Sequence, residues 1–185
     1  MASLSRSSLL VALSFSIFFI NPSFAKPRPN VTDAEIITIC SKTPAPSFCL
    51  KVLSNETLHA NQTSLHGLAK ISIELALASA DETEVEISPL IKQAENYTVR
   101  EGYTLCSQNY QEAVASLKDA KRLLSKHDYR GVRVQALAAL EEAEACEHDL
   151  RIPAFNPSPL HDKNEEFKHY CNIIWAITNR LVDYY

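Results

Sequence analysis

The residues of this chain with chemistry to offer are five cysteines, six histidines and a run of carboxylates near residue 145. Cysteine can form disulfides, lie reduced in a core, or act as a nucleophile. The nearest approach to a nucleophilic pair is Cys171 with His169, but residues two apart on a helix point in different directions. His148 stands among Glu144, Glu147 and Asp149, a set that could hold a metal. No second histidine stands at ligand spacing, so no metal is expected there. His59 and His66 fall beside sequons or a glycine in an expected loop, and His127 in an expected turn. Glu141, Glu142, Glu144 and Glu147 read as the wet face of an amphipathic helix, or more sharply as an acidic docking surface. There is no His-Glu-x-x-His, no Gly-x-Ser-x-Gly, and only three glycines for a phosphate loop. The expectation is a protein with no catalytic residue and no cofactor, that is, not an enzyme.

The fate of the cysteines depends on the compartment. Residues 1–25 read as a signal peptide: Arg6, then an apolar and serine-rich run from Leu9 to Ile20, then Pro22. Ser23-Phe24-Ala25 places small residues at a cleavage site after Ala25. The run is short of the roughly 20 apolar residues of a membrane span, so no membrane partner is expected. Export to the extracellular space makes disulfides the expected state. The remaining segment, 26–185, is long enough for one domain with a core. It carries 17 basic against 22 acidic residues, a formal −5, which argues against nucleic acid as a partner. Four sequons, at Asn30, Asn55, Asn61 and Asn96, are candidate glycosylation sites.

Apolar spacing supplies the elements that position these groups. Thr32 or Asp33 caps a first short helix running to about Ser41. Thr43-Pro44-Ala45-Pro46 turns the chain, and Ser47 caps a second helix ending near Leu53. A third helix from Ser64 carries Leu65, Leu68, Ile71, Leu75 and Ala78 along one face. Ser88-Pro89 either starts a new helix or kinks a long one. Cys106, Tyr110, Ala113, Leu117, Ala120 and Leu124 step by 4, 3, 4, 3, 4. After a turn around 127–129, Val132, Ala136, Ala139, Ala143, Cys146 and Leu150 repeat those steps. Pro153, Pro157 and Pro159 mark a loop, and a last helix carries Phe167, Tyr170, Ile174, Ile177 and Leu181. The fold expected is all-α: an antiparallel up-down four-helix bundle over 62–183, preceded by a short helical hairpin over 32–54. Two disulfides should staple it.

An antiparallel hairpin brings together residues equidistant from its turn. The midpoint of Cys106 and Cys146 falls at the bend between the two middle helices. The midpoint of Cys40 and Cys49 falls inside the proline turn. These pairs should bridge, leaving Cys171 as a free thiol near the last apolar stripe. Loop entropy puts the short bridge at about 2.7 kcal/mol and the long one at about 4 kcal/mol.

With those elements in place the chain resembles the plant invertase inhibitor and pectin methylesterase inhibitor family over about residues 35–182. The resemblance rests on Ile39-Cys40 with Cys49-Leu50, Leu65-x-Gly67-Leu68 leading into Ile71-Ser72-Ile73, and Cys106 with Asn109-Tyr110 and Ala113. Asp128-Tyr129, Cys146-Glu147 and Asn164 before the final helix complete it. The family implies the same two bridges and an inhibitor whose middle helices lie across the cleft of a pectin methylesterase. Its invertase-directed members carry Pro-Lys-Phe in the turn between those helices. Here the turn reads Lys126-His127-Asp128-Tyr129-Arg130, which favours the esterase. Pro157-Ser158-Pro159-Leu160 is similar to members labelled as invertase inhibitors, and keeps a cell-wall or vacuolar invertase as the alternative target. Ala145-Cys146-Glu147-His148 departs from the family's Thr-Cys-Glu-Asp. A non-inhibitory secreted helical protein is the reading from a different class. For docking, the outward positions of the middle helices are the candidates: Gln108, Gln111, Glu112, Ala115, Glu144, Glu147 and His148.

Overall fold

A computed structural model describes residues 30–59, 64–151 and 158–183, with the side chains of 56–59 left aside. The expected leader at 1–25, the sequon at Asn61, and Pro153 and Pro157 lie outside the described residues. Six helices are described: α1 (Asp33–Cys40), α2 (Pro46–His59), α3 (Leu65–Gln93), α4 (Tyr97–Ser125), α5 (Tyr129–Asp149) and α6 (His161–Asp183).

Each start has a local cause. Thr32, Ser64, Asn96 and Asp128 accept backbone amides of the following first turns through their side-chain oxygens. Asp128 bonds Gly131 N, and a Cβ at Gly131 would stand 2.6 Å from Asp128 Oδ2, so this cap requires glycine there. His127, just before it, has φ 60°, a left-handed turn residue that ends α4.

Helix α3 packs on α4, α4 on α5, α5 on α6, and α6 closes back onto α3. That ring of neighbours is an antiparallel up-down four-helix bundle. The hairpin of α1 and α2 lies outside it, α1 against α6 and α2 against both α3 and α6. Every residue of the two stripes Cys106–Leu124 and Val132–Leu150 is buried. Five of these twelve are alanine, which lets α4 and α5 approach closely. At Gly102 a Cβ would stand 3.0 Å from the Asp149 carbonyl, so the helices nearly touch there.

Both disulfides join the expected pairs, with Cα–Cα distances of 5.4 Å for Cys40–Cys49 and 4.3 Å for Cys106–Cys146. Cys171 is free and buried, and burial pushes its thiol well above the ordinary range. A thiol held protonated is a poor nucleophile.

Three expectations need correction, and one alternative left open is settled. Helix α2 starts at Pro46, not at a Ser47 cap, because proline suits the first helical position, and it runs past Leu53 to His59. Ser88-Pro89 does not begin a helix: α3 continues to Gln93 with Pro89 inside it. Pro89 removes the bond to the carbonyl of Val85, which lies on an exposed face open to water (Val85 is 73 % exposed). The core face of α3 is rotated from Ile71, Leu75 and Ala78 onto Leu68, Ser72, Ile73, Ala76, Thr83 and Ile87. Polar residues can sit there because Ser72 and Thr83 donate to the Leu68 and Ser79 carbonyls of their own helix. His66 is not in a loop but in the first turn of α3, its ring stacked 4.9 Å from that of His127.

Candidate docking face

A line of polar groups crosses the bundle where α5 ends and α6 begins. Tyr110 Oη donates to Asn164 Oδ1 at 2.9 Å, and Asn164 Nδ2 donates to Glu147 Oε2 at 2.8 Å. Glu147 Oε1 lies 3.1 Å from His161 Nδ1. Cys146 Sγ touches the same Asn164 oxygen at 3.4 Å, so this spine runs beside the long disulfide. Tyr110 and Asn164 are fully buried. Burial pushes the Tyr110 phenol well above its ordinary value, so it stays protonated and keeps donating. Asn164 lies in the first turn of α6, not before that helix as expected, and its amide bonds Tyr110 on α4 and Glu147 on α5.

The spine removes one residue from the candidate docking set. Glu147 was expected to face outward. Its carboxylate is half-buried and held by Asn164 and His161, because the residue following core Cys146 turns toward α6. Gln108, Gln111, Glu112, Ala115, Glu144 and His148 are exposed, as their places opposite the core stripes require. Gln111 also reaches Glu84 and Ser107 on the α3 side, each at 3.4 Å. His148 lies 3.8 Å from Asp149, whose other oxygen takes a hydrogen bond from Asn109 at 2.9 Å.

Glu142 is absent from that set. It is half-buried in the seam between α4 and α5, facing Glu112 and flanked by Glu141. Burial, then Glu112, then Glu141 hold its carboxyl above the usual range. The signal was its position immediately before core Ala143: one step on a helix turns about 100°, which puts Glu142 on the flank of the stripe rather than opposite it. Exposed apolar side chains lie on the same two helices: Leu105 and Tyr97 on α4, Val134 and Leu137 on α5. The outer face of α4 and α5 is thus an acidic seam with apolar positions alongside. Among the described residues, no three of His, Cys, Asp and Glu converge as a metal would require. No described helix is long and apolar enough to cross a membrane.

A stapled helical bundle with an acidic, partly apolar outer face is the architecture of a protein that offers a surface. Residues 34–177 match the family described as Plant invertase/pectin methylesterase inhibitor, and the chain belongs to it. It is 36% identical over 175 residues to a pectinesterase inhibitor of Actinidia deliciosa, covering 95% of this chain and 94% of that one. It is 33% identical over 152 residues to pectinesterase inhibitor 2 of Arabidopsis thaliana, covering 82% and 87%. A crystal structure of a mutant form of a pectin methylesterase inhibitor from Arabidopsis superposes with a TM-score of 0.70. It is 30% identical and covers 78% of this chain and 95% of that one.

Proposed function

We propose that this protein is exported and inhibits a pectin methylesterase by docking the outer face of α4 and α5 on the enzyme. The observation that carries the surface is the carboxylate seam. Glu142 is partly desolvated and is repelled by Glu112 and by Glu141. A lysine or arginine from a partner relieves that repulsion, so association with a basic enzyme face is favoured in rate and in specificity. Val134 and Leu137 supply apolar contact beside the seam. Gln108, Gln111, Ala115, Glu144 and His148 frame it. The relatives found are pectinesterase inhibitors, and this favours the esterase over an invertase as the target and the cell wall over the vacuole as the destination. No side chain of the chain acts on substrate in this reading: inhibition is occlusion.

The test is a titration of a basic pectin methylesterase with the purified mature chain. Activity should fall linearly to zero near one inhibitor per enzyme when the enzyme concentration exceeds Kd. A parallel titration of an invertase should leave its activity unchanged. Loss of invertase activity with the esterase untouched would reverse the assignment.

A further inference from the structure

We propose that Asn96 carries an N-linked glycan and that this glycan covers the exposed Tyr97–Leu105 end of α4. The inference rests on the reading that the chain is exported.

Asn96-Tyr97-Thr98 is a sequon whose three residues are all exposed. Asn96 caps α4 with Oδ1, which accepts Thr98 N at 2.8 Å and Val99 N at 3.4 Å. Glycosylation takes place at the other side-chain atom. Nδ2 forms a bond to the anomeric carbon of a lipid-diphosphate-linked oligosaccharide as the bond from that carbon to phosphate oxygen breaks. The lipid diphosphate leaves, one proton passes from Nδ2 to a base of the transferase, and Nδ2 keeps its second hydrogen. Oδ1 is untouched, so the product still caps the helix. Sugar and cap use opposite ends of one amide.

The neighbouring surface supplies the second observation. Tyr97 is 72 % exposed and Leu105 is 39 % exposed. With Arg100, Glu101 and Thr104 they line an open groove of about 320 Å³ that starts at the sequon. Arg100 is held there, its guanidinium donating to the Ala94 carbonyl from Nε at 3.2 Å and from an Nη at 2.9 Å. A sugar chain has the matching chemistry: its C–H faces lie against the phenol ring and the leucine, and its hydroxyls meet Glu101 and Thr104. Leu105 is nine residues from Asn96, about 13 Å along the axis, within reach of a branched glycan core. Gln108, where the docking face begins, is about 18 Å from Asn96 along the axis. Asn30, before α1, and Asn55, within α2, are exposed as well, and the same measurement reports on them.

The full chain, leader included, is expressed in a secreting eukaryotic host and collected from the medium. Enzymatic removal of glycans in heavy-oxygen water converts each occupied asparagine to labelled aspartate, read by peptide mass spectrometry. The expected result is label at Asn96. Thr98→Ala abolishes the sequon but keeps the Asn96 cap, so it should lose that label and fold normally. It should also bind an apolar fluorescent dye more strongly than wild type, with esterase inhibition unchanged. Secreted protein without label at Asn96 overturns the proposal. Label with no change in dye binding for Thr98→Ala overturns the covering role. Retention of the whole chain inside the cell overturns the export reading, and this one with it.

Discussion

Glu147 and Glu142 lie on the same helix five residues apart and meet opposite fates. Glu147 follows core Cys146, turns toward α6, and gains a hydrogen bond from Asn164 and a contact with His161. Glu142 precedes core Ala143, turns toward α4, and gains two like charges. The first acid is satisfied within the chain and belongs to the fold. The second is partly desolvated beside the like charges of Glu112 and Glu141. On a bundle helix, the side of the core stripe on which a carboxylate stands can decide which neighbouring helix it meets.

The difference can be broken at its structural side first. Replacing Cys106 and Cys146 together with alanine should cost about 4 kcal/mol, since the 40-residue separation constrains the unfolded chain most. The Cys40 and Cys49 pair, nine residues apart, should cost about 2.7 kcal/mol. Urea unfolding of the two double variants decides it, and a larger loss at the hairpin would reverse the ranking. Asn164→Ala removes the acceptor of the Tyr110 hydroxyl and the donor to one Glu147 oxygen, at about 2 kcal/mol. The same unfolding experiment measures it. The folded fraction of this variant should bind the target with wild-type affinity. A binding loss beyond the unfolded fraction would place the spine in the interface.

The converse perturbation is at the seam. Glu112→Lys with Glu142→Lys should weaken binding to a basic esterase at least tenfold, about 1.4 kcal/mol. Thermal stability should stay close to that of wild type, because one like-charge pair replaces another at the same two positions. Surface plasmon resonance at two ionic strengths reads both parts: wild-type association should slow with salt, and the double variant should lose that dependence. Unchanged affinity with an intact fold would move the interface to the α1–α2 hairpin.

How much of this was legible in the sequence differs between the two regions. The stripes of α4 and α5 could be read directly, because every 3- and 4-residue step landed on a buried side chain, and hairpin symmetry then paired all four bridged cysteines. The core face of α3 was misread because hydroxyl residues sit on it, bonded to their own helix. A reading that weighs only apolar side chains cannot see Ser72 or Thr83 as core. The spine was invisible for a related reason: Tyr110, Asn164, Glu147 and His161 come from three helices, and nothing in their spacing joins them. Glu142 was visible as part of an acidic run, but its partial burial depends on how far α4 and α5 rotate toward each other. Small alanines and Gly102 set that rotation, not the charges.

The smallest effect expected is also the one that ties the seam to pH. Glu142 has its carboxyl raised above the ordinary 4.5 in the folded chain, by burial first and by Glu112 and Glu141 next. Just above pH 4.5 the folded state therefore binds more protons at this group than the unfolded state does. Stability must fall as pH rises through that window, and acidification into it removes the penalty. Glu165 works in the opposite direction. Its carboxyl is lowered, chiefly by its bond with Lys168, so its contribution is present above the ordinary range and is lost as pH falls. Glu142→Gln should thus be slightly more stable than wild type at neutral pH, with the difference closing toward pH 4.5. Glu165→Gln should be slightly less stable at neutral pH, with its difference closing in acid. Thermal denaturation of the three proteins across that range reads both trends. Binding should follow the same proton: once Glu142 is neutral, a basic partner loses one attraction, so wild-type affinity should decline on acidification and that of Glu142→Gln should change less. If the two affinities fall in parallel, the pH response comes from a group other than Glu142.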